Sequence, residues 1–247
     1  MRKVNIMPMA GKGKRFLDAN YKIPKPLIDI NGIPMVIRAA KSLPPADQWI
    51  FICRQSHLSN SIIKQKLESY FPGSIIIQVD ELTEGQASTC LLAKKYLDEA
   101  DQLIIGACDN EMVYDLDSHN EILKRNDALI WTFRKNISVL SNPKMYGWVE
   151  IDNKSLATGV SCKIPISNQP LNDHAVSGTF SFKKAEYFIE YAENVIRMGK
   201  KVNNEYYLDT VLDQIIKSNY KVSTFELKKY FCWGTPKDLN EYIKANE

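Results

Sequence analysis

The first 109 residues alternate between short apolar runs and longer amphipathic runs, and this order constrains the fold more than any other feature of the sequence. Pro34 is expected to open the first amphipathic helix and Asn60 to cap the second. In chain order, the alternating strands and helices are predicted at KVNIMPMA (3–10), PMVIRAAKSL (34–43), QWIFICR (48–54), NSIIKQKLESYF (60–71), SIIIQVD (74–80), QASTCLLAKKYL (86–97) and QLIIGACD (102–109). This order predicts an α/β fold with a mostly parallel sheet, helices on both faces and ligands beyond the carboxyl ends of the strands.

Beyond Asn126 the pattern changes to a run of strands followed by two helices, which predicts a mixed α+β extension. The strands are expected at ALIWTFRK (128–135), YGWVEI (146–151), GVSCKIPI (159–166) and VSGTFSF (176–182), and the helices at KKAEYFIEYAENVIRM (183–198) and EYYLDTVLDQIIKS (205–218). A chain of 247 residues is often one α/β domain. We therefore predict a single domain over 1–247, with one half at 1–126 and the other at 127–247.

Charge and composition exclude several classes of function. The net charge of +3 is too small for a nucleic-acid partner, which usually requires a dense basic stripe. The sequence has neither an apolar run that could cross a bilayer nor a signal-type leader, so we expect a soluble, cytoplasmic protein without a membrane partner. The five cysteines and three histidines are scattered, which indicates neither a disulfide framework nor a zinc site.

Basic residues concentrate around a glycine loop that directly follows the first strand. Gly11 and Gly13 bracket Lys12, so the backbone there can turn sharply and direct N–H groups at oxyanions, while Lys14 and Arg15 add charge. The loop has neither the spacing of a phosphate-binding Walker A loop nor the third glycine of a dinucleotide fingerprint. The alternative is a simple glycine turn with solvated lysines. We favour a site for a small anionic ligand, because further cations follow.

Lys25 lies between two prolines, which restrict the backbone and fix the direction of its amine. A lysine held in this way suits an α-phosphate. The segments AGKGKR and PKPL together resemble the signature of the nucleotidyltransferases that couple a nucleoside triphosphate to a phosphorylated acceptor, a family that includes sugar-1-phosphate nucleotidyltransferases and phosphocholine cytidylyltransferases. Further segments resemble that family in the same order, namely QVDELTEGQA, GACDNE, YGWVEI, VSGTFSF, NEYYLDTVLDQII and CWGTPKDL.

This resemblance implies a GT-A-like, Rossmann-like fold, with a nucleotide-binding half at 1–126 and an acceptor-side half at 127–247. It implies catalytic roles for Lys12, Lys14, Arg15 and Lys25. It implies nucleotide binding by Met9, Ala10, Gly11, Gly13, Gln78, Thr83, Glu84, Gly85 and Gln86. It implies acceptor binding by Gly147, Lys163, Gly178 and Glu205. Asp109 would hold Mg²⁺, with Asp209 as a second candidate ligand.

The sequence also departs from the family pattern. Cys232 stands where many relatives have a second metal-binding aspartate, so another acid substitutes for it or one carboxylate suffices. The alternative for Glu205 and Asp209 is that they are solvated acids at the start of a helix. Cys162 precedes Lys163 where sugar-using relatives have a glutamate, which argues against a sugar phosphate as the acceptor. Aromatic residues of the second half could receive an ammonium group, although core packing is the commoner role; they are Trp131, Tyr146, Trp148, Tyr206, Tyr207 and Trp233.

Three hypotheses follow from this resemblance and its departures. The first is a cytidylyltransferase that uses CTP and a small phosphorylated amine or amino acid such as phosphoglutamine, in the modification of a capsule or another surface polysaccharide. The second is a sugar-1-phosphate nucleotidyltransferase. The third is a nucleotide-binding regulator without turnover. A GT-A glycosyltransferase is disfavoured, because the sequence has CDN where a D-x-D motif is expected.

Overall fold

Four of the apolar runs form adjacent parallel strands in the computed structural model, which describes residues 1–58 and 62–246. The strands are β1 (Lys3–Met9), β4 (Gln48–Arg54), β5 (Ile75–Val79) and β6 (Gln102–Ile105). Strand β1 lies between β4 and β6, and β5 pairs with the outer side of β4. Side chains such as Val4, Ile6 and Ile50 are fully buried in the core beside the sheet. The predicted parallel arrangement is confirmed.

Short helices connect these strands. They are α1 (Lys14–Asp18), α2 (Met35–Lys41), α3 (Gln55–Leu58), α4 (Ile62–Tyr70) and α5 (Gln86–Leu91). Pro34 immediately precedes α2, as predicted, whereas Asn60 lies outside the described residues. Helix α5 is shorter than predicted, because the chain tightens after it into a 3₁₀ turn at Lys94–Tyr96. The small hairpin of β2 (Asp29–Ile30) and β3 (Ile33–Pro34) precedes α2.

The second half of the chain joins the same sheet through one long strand, β11 (His174–Phe182). This strand pairs antiparallel with β6, β8 (Ala128–Phe133) and β9 (Gly147–Ile151). β10 (Ala157–Cys162) pairs with β9, and β12 (Val222–Glu226) pairs in parallel with β8. The resulting sheet has nine strands within the described residues. The sheet is mostly parallel on one side of β11 and mixed on the other, as the sequence predicted.

Some predicted bounds differ from those in the structure. Strand β6 ends at Ile105, so the chain leaves the sheet over residues 106–108 and Asp109 lies in a turn. Strand β10 begins earlier than predicted and ends at Cys162, because Lys163 adopts a left-handed φ of 65° that a regular strand does not accommodate. Both differences place a charged side chain in a turn at the end of a strand.

The alternating pattern did not predict several elements. Besides α1, α3, β2, β3 and β12, they include β7 (Asn110–Val113), α6 (Leu116–Lys124), α7 (Ser138–Ser141), β13 (Lys229–Cys232) and α10 (Pro236–Ala245). The two predicted helices appear as α8 (Ala185–Arg197) and α9 (Leu208–Lys217). Strands β7 and β13 form an antiparallel ribbon, and the Trp233 amide donates to the Asp109 carbonyl at 2.8 Å. This ribbon brings the C-terminal part of the chain to the end of β6.

Most aromatic residues of the second half pack in the core. Trp131, Trp148 and Trp233 are fully buried, and Tyr146 and Tyr206 nearly so. The core role predicted for most of them is confirmed, while Tyr207 is only half-buried. None of the helices in the described ranges has both the length and the apolar character needed to cross a membrane.

Candidate functional site

The glycine loop continues directly from the carboxyl end of β1. Met9 and Ala10 are buried and anchor the loop to the core, whereas Gly11 is exposed and has no atom within 4 Å of the place where a Cβ would stand. Gly13 has a left-handed φ of 62° and precedes the first turn of α1. A Cβ on Gly13 would lie 3.1 Å from the Cβ of Lys25, so the loop packs closely against that lysine.

Three cations of this loop face solvent. Lys12, Lys14 and Arg15 are exposed, and none of them forms an ion pair with any residue in the described ranges. The neighbouring Phe16 is buried and packs edge to face on Tyr21, with ring centroids 5.1 Å apart. The short helix is therefore fixed by its aromatic residue, and its charged side chains remain available to an anion.

Lys25 and Asp109 form an ion pair between the glycine loop and the end of β6. Their side chains are 13% and 32% exposed. The Lys25 amine also lies 3.4 Å from the Gly234 carbonyl and 5.2 Å from the centroid of the Phe16 ring. Burial acts to lower the pKa of Lys25, but the charge and hydrogen bond of Asp109, together with Cys108 and Cys232, raise it on balance. Lys25 is therefore a fixed, fully protonated cation.

Asp109 lies within a group of cations. Burial acts to raise its pKa, but Lys25, and then Arg15 and Lys163, reverse this effect and hold the pKa below its usual range. The carboxylate is therefore ionised at neutral pH. The structure thus brings together four of the predicted residues from four separate segments of the chain.

Cys232 borders the same carboxylate. The Gly234 amide donates to its Sγ at 3.3 Å, and the thiol lies 3.8 Å from an Asp238 carboxylate oxygen. Burial, followed by the negative charge of Asp109, raises the pKa of Cys232 to about 11. The residue is therefore a neutral thiol at physiological pH and a poor ligand for a hard cation.

The predicted base-binding segment is docked against the residues before α9. Gly85 has a φ of 119°, and a Cβ there would lie 2.5 Å from the Tyr206 amide nitrogen. The Tyr206 amide donates to the Glu84 carbonyl at 2.7 Å, and the Ala87 amide donates to the Tyr206 carbonyl at 3.0 Å. Glu84 also pairs with Lys201. The segment is therefore fixed by backbone contacts that only glycine permits.

The side chains of this segment are arranged as follows. Gln78 is exposed on β5, and its amide nitrogen donates to Asp80 at 2.8 Å. The hydroxyls of Thr83 and Thr89 are hydrogen-bonded at 2.5 Å, and Thr89 also donates to the Gly85 carbonyl at 2.9 Å. The Gln78 amide thus retains its carbonyl oxygen for another donor, while Thr83 supports the turn. Gln86 is the first residue of α5.

The predicted acceptor-side residues lie around the first turn of α9. Asp209 is buried, and a Cβ on Gly147 would lie 2.0 Å from its Oδ1. Burial raises the pKa of Asp209, an effect that the charge of Lys163 opposes. Lys163 donates to the Met145 carbonyl. Glu205 is exposed just before the helix.

Gly178 lies on β11 beside the residues that lead to Asp109. It has a φ of 87°, and a Cβ there would lie 3.1 Å from the Cβ of Ala107. The Asn110 amide donates to the neighbouring Ser177 carbonyl at 2.9 Å. This glycine therefore lets β11 approach the turn that presents the carboxylate.

The fit of a divalent metal can be judged from the donors present. Asp109 offers a partly exposed carboxylate oxygen, the type of ligand that Mg²⁺ prefers, and Mg²⁺ usually takes one or two carboxylates with substrate oxygens and water. Among the described residues there is no cluster of three or more metal-ligating side chains. Asp209 is directed at Gly147 and Cys162. The residues thus fit a metal held by Asp109 and substrate oxygens.

Several contacts at the site were not predicted from the sequence. The ring of Phe16 and the carbonyl of Gly234 position Lys25, the amide of Trp233 holds Asp109, and Lys201 pairs with Glu84. The closing segment CWGTPKDL was the available signal for two of these contacts. Nothing local in the sequence indicates the other two, because the contact of Phe16 with Lys25 depends on the path of the loop and the pair of Lys201 and Glu84 joins distant segments.

The chain resembles known proteins over nearly its whole length. The family model described as "Nucleotidyl transferase" matches residues 5–247. The Bifunctional protein GlmU of Methanococcus aeolicus is 24% identical over 255 residues, which cover 98% of this chain and 54% of that protein, so the chain spans about half the length of the curated relative it matches. That comparison extends over nearly all of the chain described here.

Solved structures share the fold. A nucleoside-diphosphate-sugar pyrophosphorylase from Vibrio cholerae RC9 superposes with a TM-score of 0.81 at 17% identity, covering 97% of this chain and 99% of that one. The inositol-1-phosphate CTP transferase from T. maritima superposes with a TM-score of 0.73 at 14% identity, covering 99% and 94%. At these identities the similarity establishes the architecture.

Proposed function

This chain belongs to the nucleotidyl transferase family, and from that premise we propose that it transfers CMP from CTP to a small phosphorylated acceptor and releases pyrophosphate. The observation that carries the proposal is the convergence of Lys25, Asp109 and Arg15 beyond the carboxyl ends of β1 and β6. Ligands of open α/β sheets bind at that edge. A cation-rich site with one ionised carboxylate suits a polyphosphate and its metal.

The proposed reaction follows from charge. An oxygen of the acceptor phosphate attacks the α-phosphorus of the nucleotide, a new phosphorus–oxygen bond forms, and the bond to the β-phosphate breaks as pyrophosphate leaves. Arg15, with Lys12 or Lys14, neutralises the leaving phosphates, and Lys25 stabilises charge at the α-phosphate. The attacking phosphate is already ionised at neutral pH, so no general base is needed.

Nucleotidyl transferases of this family usually use a divalent metal, and Asp109 would hold Mg²⁺ here. When bound, the ion supplies Lewis-acid stabilisation of phosphoryl oxygens. Asp109 supplies a hard oxygen ligand, and its ion pair with Lys25 keeps both groups charged and oriented before substrates arrive. The neutral thiol of Cys232 leaves Asp109 as the carboxylate that performs this role.

We assign the nucleotide to the half at 1–126 and the acceptor to the half at 127–247. Gln78 and the backbone of the Gly85 turn support a pyrimidine, because an amide presents both a donor and an acceptor to a base edge. This property suits cytosine or uracil. The family resemblance favours CTP.

For the acceptor we propose an amino-acid-linked phosphate such as phosphoglutamine, in the modification of a capsule or another surface polysaccharide. Lys163 supplies a cation on the acceptor side, and Cys162 stands where sugar-using relatives have a glutamate. A sugar 1-phosphate is the second candidate acceptor, favoured by the printed name of the Vibrio cholerae structure. The two candidates differ in whether the acceptor carries a positive charge.

The test is pyrophosphate release from each of the four nucleoside triphosphates with a panel of phosphorylated amines, amino acids and sugars. We expect CTP to give the highest kcat/KM and UTP to follow, with roughly a hundredfold or greater discrimination against purines. Gln78→Ala should reduce the difference in kcat/KM between CTP and the other nucleoside triphosphates. A preference for ATP or GTP would refute the base assignment, and tight nucleotide binding without release would favour a regulator.

Asp109→Asn in the same assay tests the metal assignment. This variant should lose most of its magnesium-dependent turnover, on the order of a hundredfold or more, while its thermal unfolding remains cooperative. Asp117→Asn, an exposed acid in the first turn of α6, is the control with the same change in charge. Near-normal turnover of Asp109→Asn would contradict the assignment.

A further inference from the structure

Arg38, Glu111 and Tyr242 form a hydrogen-bonded network to which the proposed reaction assigns no role. Nε of Arg38 donates to a Glu111 carboxylate oxygen at 2.9 Å, and Nη2 of Arg38 donates to the Tyr242 hydroxyl at 2.8 Å. That hydroxyl donates in turn to the same carboxylate oxygen at 2.8 Å. The three side chains therefore close a ring of hydrogen bonds, which we call the Arg38 network.

The Arg38 network is partly removed from water. The side chains of Arg38 and Glu111 are 25% and 26% exposed, and Tyr242 is buried. The Arg38 guanidinium also lies 5.6 Å from the centroid of the Tyr242 ring. Taking charges out of water costs free energy, so a pair of this kind is weak evidence for stability alone. Charge-assisted hydrogen bonds do, however, restrict the relative placement of the elements that carry them.

Two members of the network lie on elements that continue directly from the candidate site. Glu111 is on β7, two residues after Asp109. Tyr242 is on α10, which begins two residues after Gly234, and the carbonyl of Gly234 lies 3.4 Å from the Lys25 amine. A shift of either element would therefore move a group that contacts Lys25.

The third member connects to Lys25 through α2. Arg38 lies on this helix, one turn after Met35. The Met35 amide donates to the Ile28 carbonyl at 2.8 Å, and the Ile28 amide donates to the Lys25 carbonyl at 3.2 Å. The three segments that meet at the ion pair of Lys25 and Asp109 thus each lead into an element with one side chain in the network.

The Tyr242 ring also packs on the ribbon of β7 and β13 and on the residue that follows it. Its centroid lies 5.4 Å from that of Phe231 and 5.3 Å from that of Trp233, both edge to face. The Trp233 amide donates to the Asp109 carbonyl at 2.8 Å. Tyr242 therefore joins the polar network to the backbone that holds the carboxylate.

We propose that Arg38, Glu111 and Tyr242 are positioning residues that keep Asp109 and Lys25 in the arrangement that the reaction needs. The proposal rests on the proposed function, because it describes how that site is held. The three side chains act through Asp109 and Lys25 and do not contact substrate. A displacement of about 1 Å at reacting groups can lower turnover by about a hundredfold, so the network should affect kcat.

The test begins with two conservative variants. Tyr242→Phe removes the hydroxyl and keeps the ring that packs on the ribbon, and Glu111→Gln keeps the shape and removes the charge. In each, we expect kcat for pyrophosphate release from CTP to fall about tenfold or more, while the KM for CTP changes by less than about twofold. The double variant should be no slower than Glu111→Gln alone, because both changes break one network.

Glu226→Gln is the matched control. Glu226 accepts two hydrogen bonds from Arg134, at 2.9 and 2.7 Å, and the two side chains are 41% and 37% exposed. This pair joins the end of β12 to the residue after β8, outside the ribbon. Its loss should leave kcat and KM unchanged. Cooperative thermal unfolding of all variants, followed by circular dichroism, shows that the chains are folded.

Alkylation of Cys232 by iodoacetamide reports on the same arrangement without turnover. Cys232 pairs with Asn110 in the ribbon, and its Sγ accepts from the Gly234 amide at 3.3 Å. Tyr242→Phe does not change the charge of the protein. It should speed alkylation of Cys232 at pH 8 by about threefold or more, because the ribbon opens more readily. Fully buried Cys90 should keep its rate.

The outcomes separate this proposal from the proposed function. Where the wild type turns over, an unchanged kcat in both network variants, or an equal loss of kcat in Glu226→Gln, overturns the positioning role. A wild type that releases no pyrophosphate from any nucleotide refutes the proposed reaction, and alkylation then decides. In that case, faster alkylation of Cys232 in Tyr242→Phe supports the positioning role, and an unchanged rate overturns it.

Discussion

At the scale of single residues, the main feature is a lysine whose position is fixed from several sides. The prolines on either side of Lys25 restrict its backbone, Gly13 leaves room for its Cβ, and Asp109 holds its amine. Such a cation costs little reorganisation when charge develops near it. Arg15 is exposed and has more freedom. The two cations should therefore contribute differently to catalysis.

We expect Lys25→Ala to lower kcat more than it raises the KM for nucleotide, because the charge that Lys25 meets develops mainly in the transition state. Arg15→Ala should impair both parameters, since it meets phosphates that are charged throughout the reaction. Steady-state kinetics measures this, with exposed Lys22→Ala as the control. Mild, equal KM effects with unchanged kcat in both variants would contradict these roles.

The coupling between Asp109 and Cys232 predicts a change in thiol reactivity. Asp109 helps to raise the pKa of Cys232 to about 11, so its alkylation by iodoacetamide should accelerate about tenfold per pH unit up to that value. Asp109→Asn removes a negative charge, which should lower the pKa of Cys232 and speed alkylation at pH 8. Lys25→Met removes a positive charge and should slow it.

Peptide-resolved mass spectrometry follows this reaction at each cysteine. Fully buried Cys90 serves as the internal reference, because burial alone raises its pKa and neither variant lies beside it. Equal rates at Cys232 in the wild type and both variants would show that the two charges do not act on the thiol.

Some of these residues could be predicted from the sequence and others could not. Lys25 was predicted from a local pattern, a lysine between two prolines, and Asp109 from the family resemblance of its segment; the structure brings the two side chains together. The sequence predicts a core role for most aromatic residues of the second half, but Tyr207 is only half-buried. Its exposure depends on how the start of α9 meets Lys163. Contacts of this kind arise from packing between distant segments, and no short pattern encodes them.

At the scale of elements, the turn around Gly85 connects the proposed nucleotide side to the proposed acceptor side. Its backbone pairs with Tyr206 on both flanks of the glycine, immediately before α9. The predicted base-binding turn is therefore joined to the residues that precede α9 by two backbone hydrogen bonds, so a disturbance of the turn should affect both.

Gly85→Ala should lower the free energy of unfolding by about 1–3 kcal/mol or more, because the new Cβ would lie 2.5 Å from the Tyr206 amide at a left-handed φ. Urea denaturation measures the change. Gly159→Ala is the control, since its Cβ would lie 3.5 Å from the Glu150 carboxylate, an ordinary contact. Equal stability of both variants would show that the turn is not tightly docked.

The periodic elements were predicted well and the irregular ones poorly. β4 has the predicted bounds, because a buried run of Gln48–Arg54 admits few alternatives. The ribbon of β7 and β13 was missed, since each strand has four residues and is specified by its partner. Short paired segments carry little periodic signal, so the sequence could indicate the sheet but not its closing ribbon.

At the scale of the whole molecule, the two halves share one sheet. β11 belongs to the half at 127–247, yet it pairs with β6 of the half at 1–126. Fully buried Leu103 and Ile105 line β6 at this junction. We therefore expect the two halves to fold as one unit.

A fragment of residues 1–126 should not fold alone, because without β11 the edge of β6 would expose unpaired backbone groups beside apolar side chains. We expect it to aggregate in size-exclusion chromatography and to lack cooperative unfolding by circular dichroism. Co-expression with 127–247 should restore a soluble complex, with the intact chain as the reference. A monomeric fragment that unfolds cooperatively would contradict this expectation.

The bond from the Trp233 amide to the Asp109 carbonyl has a consequence for the order of folding. The residues it joins are separated by about half the chain, and closing so long a loop is slow compared with forming local helices and turns. During refolding, helical signal should therefore return before magnesium-dependent turnover does. We therefore expect helices and turns to form early and magnesium-dependent turnover to return among the last events.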